Sequence, residues 1–181
     1  MKYAKTTAPT ALAVTLSEVK DHLVVSHSDD DELITDKINQ AVDYCEQYTG
    51  RFLMPQVWTV YLDGWFDVDL PFPPVQSVVV KYRDTDGAEQ TLDAAEYQLD
   101  AFSAPPRIYF TGALPALSSG YNNVWVEVTA GYVDEVPPGI GAAILLIVGH
   151  LYNNRESTAP IEIKEVPMSA KAFLDLYKVC F

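Results

Sequence analysis

The chain has 181 residues, of which 49% are hydrophobic and 20% are charged, so it can build a packed core and does not belong to the disordered class. Its formal net charge of −13 argues against two functions that need clustered lysine and arginine: direct binding of nucleic-acid phosphates and attachment to an anionic membrane surface. It has two cysteines, without the close spacing of a zinc knuckle, which argues against a disulfide scaffold and favours a reducing compartment.

Residues 1–14 are expected to form a flexible arm. Two lysines precede a weakly apolar stretch there, but Pro9 and several threonines interrupt it. The stretch therefore lacks the continuous apolar region of a secretory signal peptide. The rest of the chain, residues 15–181, is predicted to form a single domain.

Helices are predicted across residues 16–50. Thr15 and Glu18 have the spacing of a capping box, which predicts a short first helix from about residue 16 to 23. A second helix follows a run of acidic residues, which are favourable in the first turn of a helix. Its apolar residues recur at helical spacing and Gly50 suits its C-terminal end; they are Ile34, Ile38, Ala41, Cys45 and Tyr48.

The residue pattern changes after Pro55. Alternating β-branched and aromatic residues predict short strands between residues 56 and 132, and Asp86 followed by Gly87 predicts a hairpin turn. Several prolines in this stretch indicate bends and edge strands, because proline cannot donate a hydrogen bond to a sheet ladder. We interpret the segment as a small antiparallel β insertion.

The most apolar segment is Ile140–Tyr152, which contains no charged residue. Prolines at its start predict a helix over residues 137–155, too short to span a bilayer, which needs about 20 residues. A helix that is apolar on every side must be buried on every side. Two interpretations stay open: a core helix of a monomer, or a helix covered partly by a neighbouring subunit. On the second, the candidate subunit interface is its side with small residues: Ala142, Leu146, Gly149, Asn153 and Arg155.

Residues 161–181 form a last segment that is predicted to be amphipathic. Chain ends usually fray, so large apolar side chains here indicate docking on the protein's own core or on a partner. The candidate contact residues are Phe173, Leu174, Tyr177, Lys178 and Phe181. If they contact a partner, deletion of residues 172–181 is expected to leave the fold intact.

The predicted fold class is α+β. We expect mainly a helical bundle of about four helices, with the small antiparallel β insertion between the second and third long helices.

The sequence contains no motif that predicts catalysis or metal binding. His150 stands alone on an apolar helix, where a histidine is more often structural than a ligand. Asp84–Gly87 resembles the start of a calcium loop, but the twelfth position is Ala95 instead of glutamate. We therefore expect no catalytic residue, no metal and no cofactor. A monomeric ligand-binding module or a small enzyme built from scattered carboxylates stays open as an alternative.

The ordered set of segments resembles the phage head–tail connector proteins, the adaptor family that lies beneath the portal ring of long-tailed bacteriophages. The resemblance covers about residues 16–179, although Ser169 and Phe173 stand where the family often has glycine and leucine. The matching segments are LSEVKDHLVV, DDELITDKINQAVDYCEQYTGRFL, LPFPPVQSVVVKYRDTDGAEQTLDAAEYQLD, VWVEVTAGY, VPPGIGAAILLIVGHLYNNRES and VPMSAKAFLDLYKV.

The resemblance implies a structural virion protein at the head–tail interface, made in the host cytoplasm. Family members form a ring, commonly a dodecamer, that docks on the portal protein and carries the next tail-side component, a stopper or tail terminator. By that similarity, DNA passes through the ring without sequence-specific binding, no membrane is involved, and the C-terminal candidates contact the portal. A stopper or tail-completion protein of the same machine is the nearest alternative.

Overall fold

The structure is a computed structural model that describes residues 2–70, 73–154 and 168–179. Contacts within the chain divide it into two compact units. Unit 1 is built mainly from Met1–Thr10 and Met54–Val133, and unit 2 from Ala11–Leu53 and Asp134–Val179. Each unit is described on its own below.

Unit 2 contains the helices of the described residues. They are α1 (Leu16–Leu23), α2 (Asp31–Thr49), α3 (Pro138–Asn153) and α4 (Met168–Asp175). Thr15 and Glu18 form the predicted capping box: the Thr15 hydroxyl accepts from the backbone N–H of Glu18 at 3.2 Å, and the Glu18 carboxylate accepts from the N–H of Thr15 at 2.7 Å. The start of α1 is therefore fixed by local chemistry.

Helix α3 lies at the centre of unit 2, because α1, α2 and α4 all pack against it. Its fully or almost fully buried residues are Ile140, Ala143, Ile144, Ile147 and Val148. From α2, the buried side chains include Ile34, Ile38 and Cys45. Three helices of the same chain therefore cover part of the apolar surface of α3.

Unit 1 is built from strands. They are β1 (Lys2–Thr7), β2 (Gln56–Leu62), β3 (Val68–Asp69), β4 (Val75–Arg83), β5 (Glu89–Thr91), β6 (Tyr97–Asp100), β7 (Arg107–Phe110) and β8 (Val124–Ala130), with a 3₁₀ turn at Ala94–Glu96. One antiparallel sheet has the order β1-β2-β8-β4-β5 and the other has the order β3-β7-β6.

One face of the five-stranded sheet forms an apolar core. Alternation along the central strands sends one set of side chains to this face, and they are buried: Val60, Leu62, Val80, Val124, Val126 and Val128. The opposite face carries polar and aromatic side chains, among them Lys81, Trp125 and Glu127. The two-residue period of a strand therefore sets which face is buried.

The predicted fold class is wrong. Among the described residues, eight strands in two antiparallel sheets form a compact unit of their own, so the β part is more than a small insertion in a helical bundle. The sequence reading missed β1, within the expected N-terminal arm, because all six of its residues are exposed and carry no apolar alternation. Its pairing with β2 is a long-range contact that local periodicity does not encode.

Candidate interaction surfaces

Helix α4 has two apolar faces with different environments. Its inner face contributes Ala170 and Leu174, which are fully buried in unit 2. Its outer face and the residue just after its end expose large apolar side chains: Met168 is 84% exposed, Leu176 is 81% exposed and Phe173 is 40% exposed. We call these three residues the α4 outer face. Large apolar side chains grouped on a surface are typical of a protein–protein contact.

Hydrogen bonds from the α2 end fix the position of α4. The Tyr48 hydroxyl donates to Asp175 at 2.6 Å, and the Arg51 guanidinium donates to the carbonyl of Tyr177 at 2.7 Å. The backbone N–H of Val179 donates to the carbonyl of Thr49 at 2.8 Å. The hydrogen bond to Asp175 also raises the pKa of Tyr48, because it stabilises the protonated phenol. The outer face is thus held on a defined support.

The structure places the four described residues of the expected C-terminal contact in different environments. Phe173 lies on the outer face, whereas Leu174 is in the core. Tyr177 is half-buried and packs over Gly139, where an added Cβ would lie 2.9 Å from its ring. Lys178 is exposed, with its ammonium 5.0 Å from the centre of the Tyr48 ring. Phe181 lies outside the described residues.

Sequence reasoning missed Met168 and Leu176. Both are apolar and lie about two helical turns apart, a spacing that places them on the same side of a helix and could have identified this face. The signal was hidden because α4 is apolar on both faces, so periodicity alone did not show which face is buried.

The residues expected at a subunit interface on α3 do not form one exposed surface. Ala142 and Leu146 are half-buried and Asn153 is exposed. Gly149 faces α1 of the same chain, where an added Cβ would lie 3.7 Å from His22 and 3.8 Å from Leu23. Arg155 lies outside the described residues. The small residue at position 149 is therefore explained by the close approach of α1 to α3.

Unit 1 also presents an aromatic side chain on a hydrogen-bonded turn. Phe102 is fully exposed. The carboxylate of Asp100 accepts from the backbone N–H groups of Phe102 and Ser103, each at 3.0 Å. Hydrogen bonds from the hydroxyl and backbone of Ser103 lower the pKa of Asp100. An aromatic held in this way is suited to contact another molecule.

We next consider the described side chains that could take part in catalysis or bind a metal. Burial raises the pKa of the Cys45 thiol to about 12, so this cysteine is a packed apolar group at neutral pH. No set of three or more histidine, cysteine, aspartate or glutamate side chains in the described residues is grouped as metal ligands would be. Within the same residues, no helix combines the length and apolar character needed to cross a membrane.

Comparisons with known proteins give one match to a family model and a fold shared with solved structures. Residues 13–100 match the family model described as "Phage gp6-like head-tail connector protein". No curated protein sequence matches the chain. The predicted resemblance to the phage head–tail connector family is confirmed by the match to this family model.

Three solved structures resemble the whole chain. Chains from "Neck of empty GTA particle computed with C6 symmetry", "Virion of native gene transfer agent (GTA) particle" and "Neck of native GTA particle computed with C12 symmetry" have TM-scores of 0.83, 0.82 and 0.80. Their sequence identities are 24%, 23% and 24%, and each alignment covers 100% of this chain and 97% of the other. At these identities the likeness establishes the fold.

Proposed function

From the confirmed resemblance to phage head–tail connector proteins, we propose that this chain is a structural, non-enzymatic protein of the neck of a phage-like particle. Copies form an adaptor ring between portal and tail. The ring extends the DNA channel and carries the next tail-side component. The observation that carries this proposal is the α4 outer face, a set of exposed apolar side chains on a fixed helix.

A ring requires an interface between two different surfaces of the same chain. Two of the similar structures are named as neck structures with C6 and C12 symmetry, which supports a ring for this chain as well. On this proposal the protein resides at the head–tail interface of the virion after synthesis in the host cytoplasm. Twelve subunits is the copy number that the family resemblance favours.

The α4 outer face is proposed as the portal contact. Met168 and Leu176 are more than four-fifths exposed, so the chain itself gains little from them. Residues that dominate protein interfaces are large side chains that become desolvated at the centre of the contact. Because hydrogen bonds to Asp175 and the Tyr177 carbonyl hold α4 in place, docking costs little ordering of the helix.

The charge of the chain fits a DNA conduit. At a net charge of −13 per chain, a ring of several copies repels phosphate and does not retain DNA by counterion release. A channel that DNA crosses needs this property, whereas a DNA-binding clamp needs the opposite charge.

A double substitution on the α4 outer face tests the proposal. We expect Met168→Gln/Leu176→Gln to abolish co-purification with the portal protein of the particle that encodes the chain, because the apolar contact is lost. The melting temperature should stay within a few degrees of the wild type, since both positions are exposed. Val133→Gln, which removes a side chain that is 65% exposed in unit 1, is the matched control and should leave portal binding unchanged.

Three results would contradict the proposal. The first is unchanged portal binding by the double variant. The second is binding of the wild type to a tail-side component but not to the portal, which would identify a stopper or tail-completion protein. The third is a monomer that binds a small ligand and associates with neither partner.

A further inference from the structure

The five-stranded sheet ends in two edges that differ in charge. Strand β1 forms one edge and β5 forms the other, and neither has a second strand neighbour among the described residues. All six residues of β1 and all three residues of β5 are exposed. Backbone N–H and C=O groups at such edges can pair with another strand.

The two edges lie on one cross-strand row. Lys2 pairs with Tyr61, Tyr61 with Trp125, Trp125 with Lys81, and Lys81 with Thr91. These five residues lie on the polar face of the sheet because directly paired residues share a face. Lys2 and Thr91 thus end the same row at opposite edges.

Glu89 lies on the same polar face, two residues before Thr91. Its carboxylate is 3.8 Å from the Lys81 ammonium, which also contacts Glu127 at 2.8 Å. The Glu89 side chain is 60% exposed. It is therefore accessible to a second cation that approaches the β5 edge.

The sequence around each edge is uniform in charge. Residues 1–17 contain two lysines and no aspartate or glutamate. Residues 84–96, which include β5, contain five acidic residues and no lysine or arginine. The β1 edge is therefore positively charged, although the chain as a whole has a net charge of −13.

The strand directions also match. Each neighbouring pair in the sheet is antiparallel, so β1 and β5, four steps apart, run in the same direction. The rotation between neighbours in a ring of about twelve copies is small, so it does not reverse this shared N-to-C sense. A β1 edge placed beside the β5 edge of the next copy would therefore form a parallel pair.

We propose that the β1 edge of one copy docks against the β5 edge of the next copy, with Lys2 beside Glu89, and that this contact is one interface of the ring. The inference rests on the proposed ring function and identifies the two surfaces through which neighbouring subunits of the ring contact each other. The interface is heterologous, as ring closure requires, because one chain carries both halves. It continues the sheet from subunit to subunit through backbone hydrogen bonds, and the opposite charges fix its direction.

Charge reversal at each edge tests the proposal by sedimentation velocity at low ionic strength, over a range of protein concentrations. The β1 variant is Lys2→Glu/Ala4→Glu, which spares Lys5, whose ammonium lies 5.5 Å from the centre of the Trp58 ring. The β5 variant is Asp86→Lys/Glu89→Lys. Wild type should show a sedimentation coefficient that rises with concentration and falls back in high salt, because salt screens surface charges.

Each variant alone should lose this self-association, and an equimolar mixture should regain it. In the mixture, the acidic β1 edge of one variant meets the basic β5 edge of the other, so copies alternate. The matched control for the β5 variant is Asp134→Lys/Glu135→Lys, which also replaces two acidic residues by lysine, at exposed positions in unit 2. This control should associate at least as well as wild type. Circular dichroism checks that all variants are folded.

Four outcomes would overturn the edge contact: a wild type that stays monomeric at every concentration, a variant that behaves as wild type, a mixture that does not recover, or a β1 variant that associates more strongly. The last outcome would mean that the lysine only protects an open edge. If repulsion between acidic chains alone controlled association, the β5 variant would associate more strongly than wild type, because it is less acidic. The edge contact predicts that the same variant loses association. Portal binding through α4 is measured in a separate co-purification experiment. Failure of the edge contact therefore does not decide whether α4 binds the portal.

Discussion

At the scale of single residues, Gly131 shows how one position can constrain unit 1. It follows β8 with a φ angle of +114°, a backbone conformation that side chains with a Cβ rarely adopt. Its N–H donates to the carbonyl of Pro74 at 2.9 Å, and its own carbonyl accepts from the Gln76 side chain at 2.9 Å. An added Cβ would lie 2.2 Å from the carbonyl oxygen of Met54. Only glycine fits both the conformation and the space.

Gly131→Ala should lower the free energy of unfolding by about 2 kcal/mol or more, because backbone strain alone costs about 1–3 kcal/mol. Urea denaturation measures the change. Gly64→Ala is the control: no atom lies within 4 Å of an added Cβ there, so the change should stay within about 0.5 kcal/mol. Equal effects of the two substitutions would show that the contact with Met54 does not constrain the backbone.

At the scale of elements, α4 combines a structural and an interaction role. Leu174 belongs to the core of unit 2, and hydrogen bonds from Tyr48 and Arg51 hold the end of the helix. Deletion of residues 172–181, expected from the sequence to spare the fold, would remove Leu174 and these bonds together. We now expect that deletion to destabilise unit 2. Point substitutions separate the two roles better than truncation does.

Leu174→Ala should cost about 2–5 kcal/mol of stability, the usual range for a leucine truncated in a core. Leu176→Ala, two residues later and 81% exposed, should change stability by less than about 0.5 kcal/mol. Thermal or urea unfolding of the two variants gives the comparison. A small effect at position 174 would mean that α4 does not contribute its inner face to the core in solution.

At the scale of the whole molecule, net charge and exposed apolar surface have opposite effects on association: the charge opposes it and the apolar surface favours it. Chains with a net charge of −13 repel one another most strongly once they approach to within the screening length, about 8 Å at physiological salt. Closure of a ring must then depend on short-range contacts between matched surfaces. The proposed contact between subunits is small, because its β1 side is a strand edge of six residues. The α4 outer face, with three large apolar side chains, is assigned to the portal.

We therefore predict that the purified chain does not form closed rings alone and that the portal protein templates them. Light scattering should report small species without portal and a ring-sized assembly on the portal. Stable rings in the absence of portal would contradict this prediction and would indicate that the subunit interface buries at least about 800 Å² per partner.

The parts of the fold that could be predicted are those set by local chemistry. The capping box at Thr15 and Glu18 marked the start of α1, and the alternation in β2 and β8 marked buried strands. The resemblance to the connector family could also be recognised from the ordered segments, as the family match over residues 13–100 confirms. Of the three residues on the α4 outer face, the sequence analysis named Phe173 but not Met168 or Leu176.

The amino-acid sequence alone determined the charge of the chain, the local starts and periods of its elements, and the family resemblance, because these depend on residues close together in the chain. Only the tertiary structure decided that residues 2–7 form a sheet edge, that Leu174 is core while Leu176 is surface, and that the strands form a compact unit of their own. The physical reason is that strand pairing and the choice between two apolar helix faces are set by contacts between residues far apart in the chain, which local propensity does not specify.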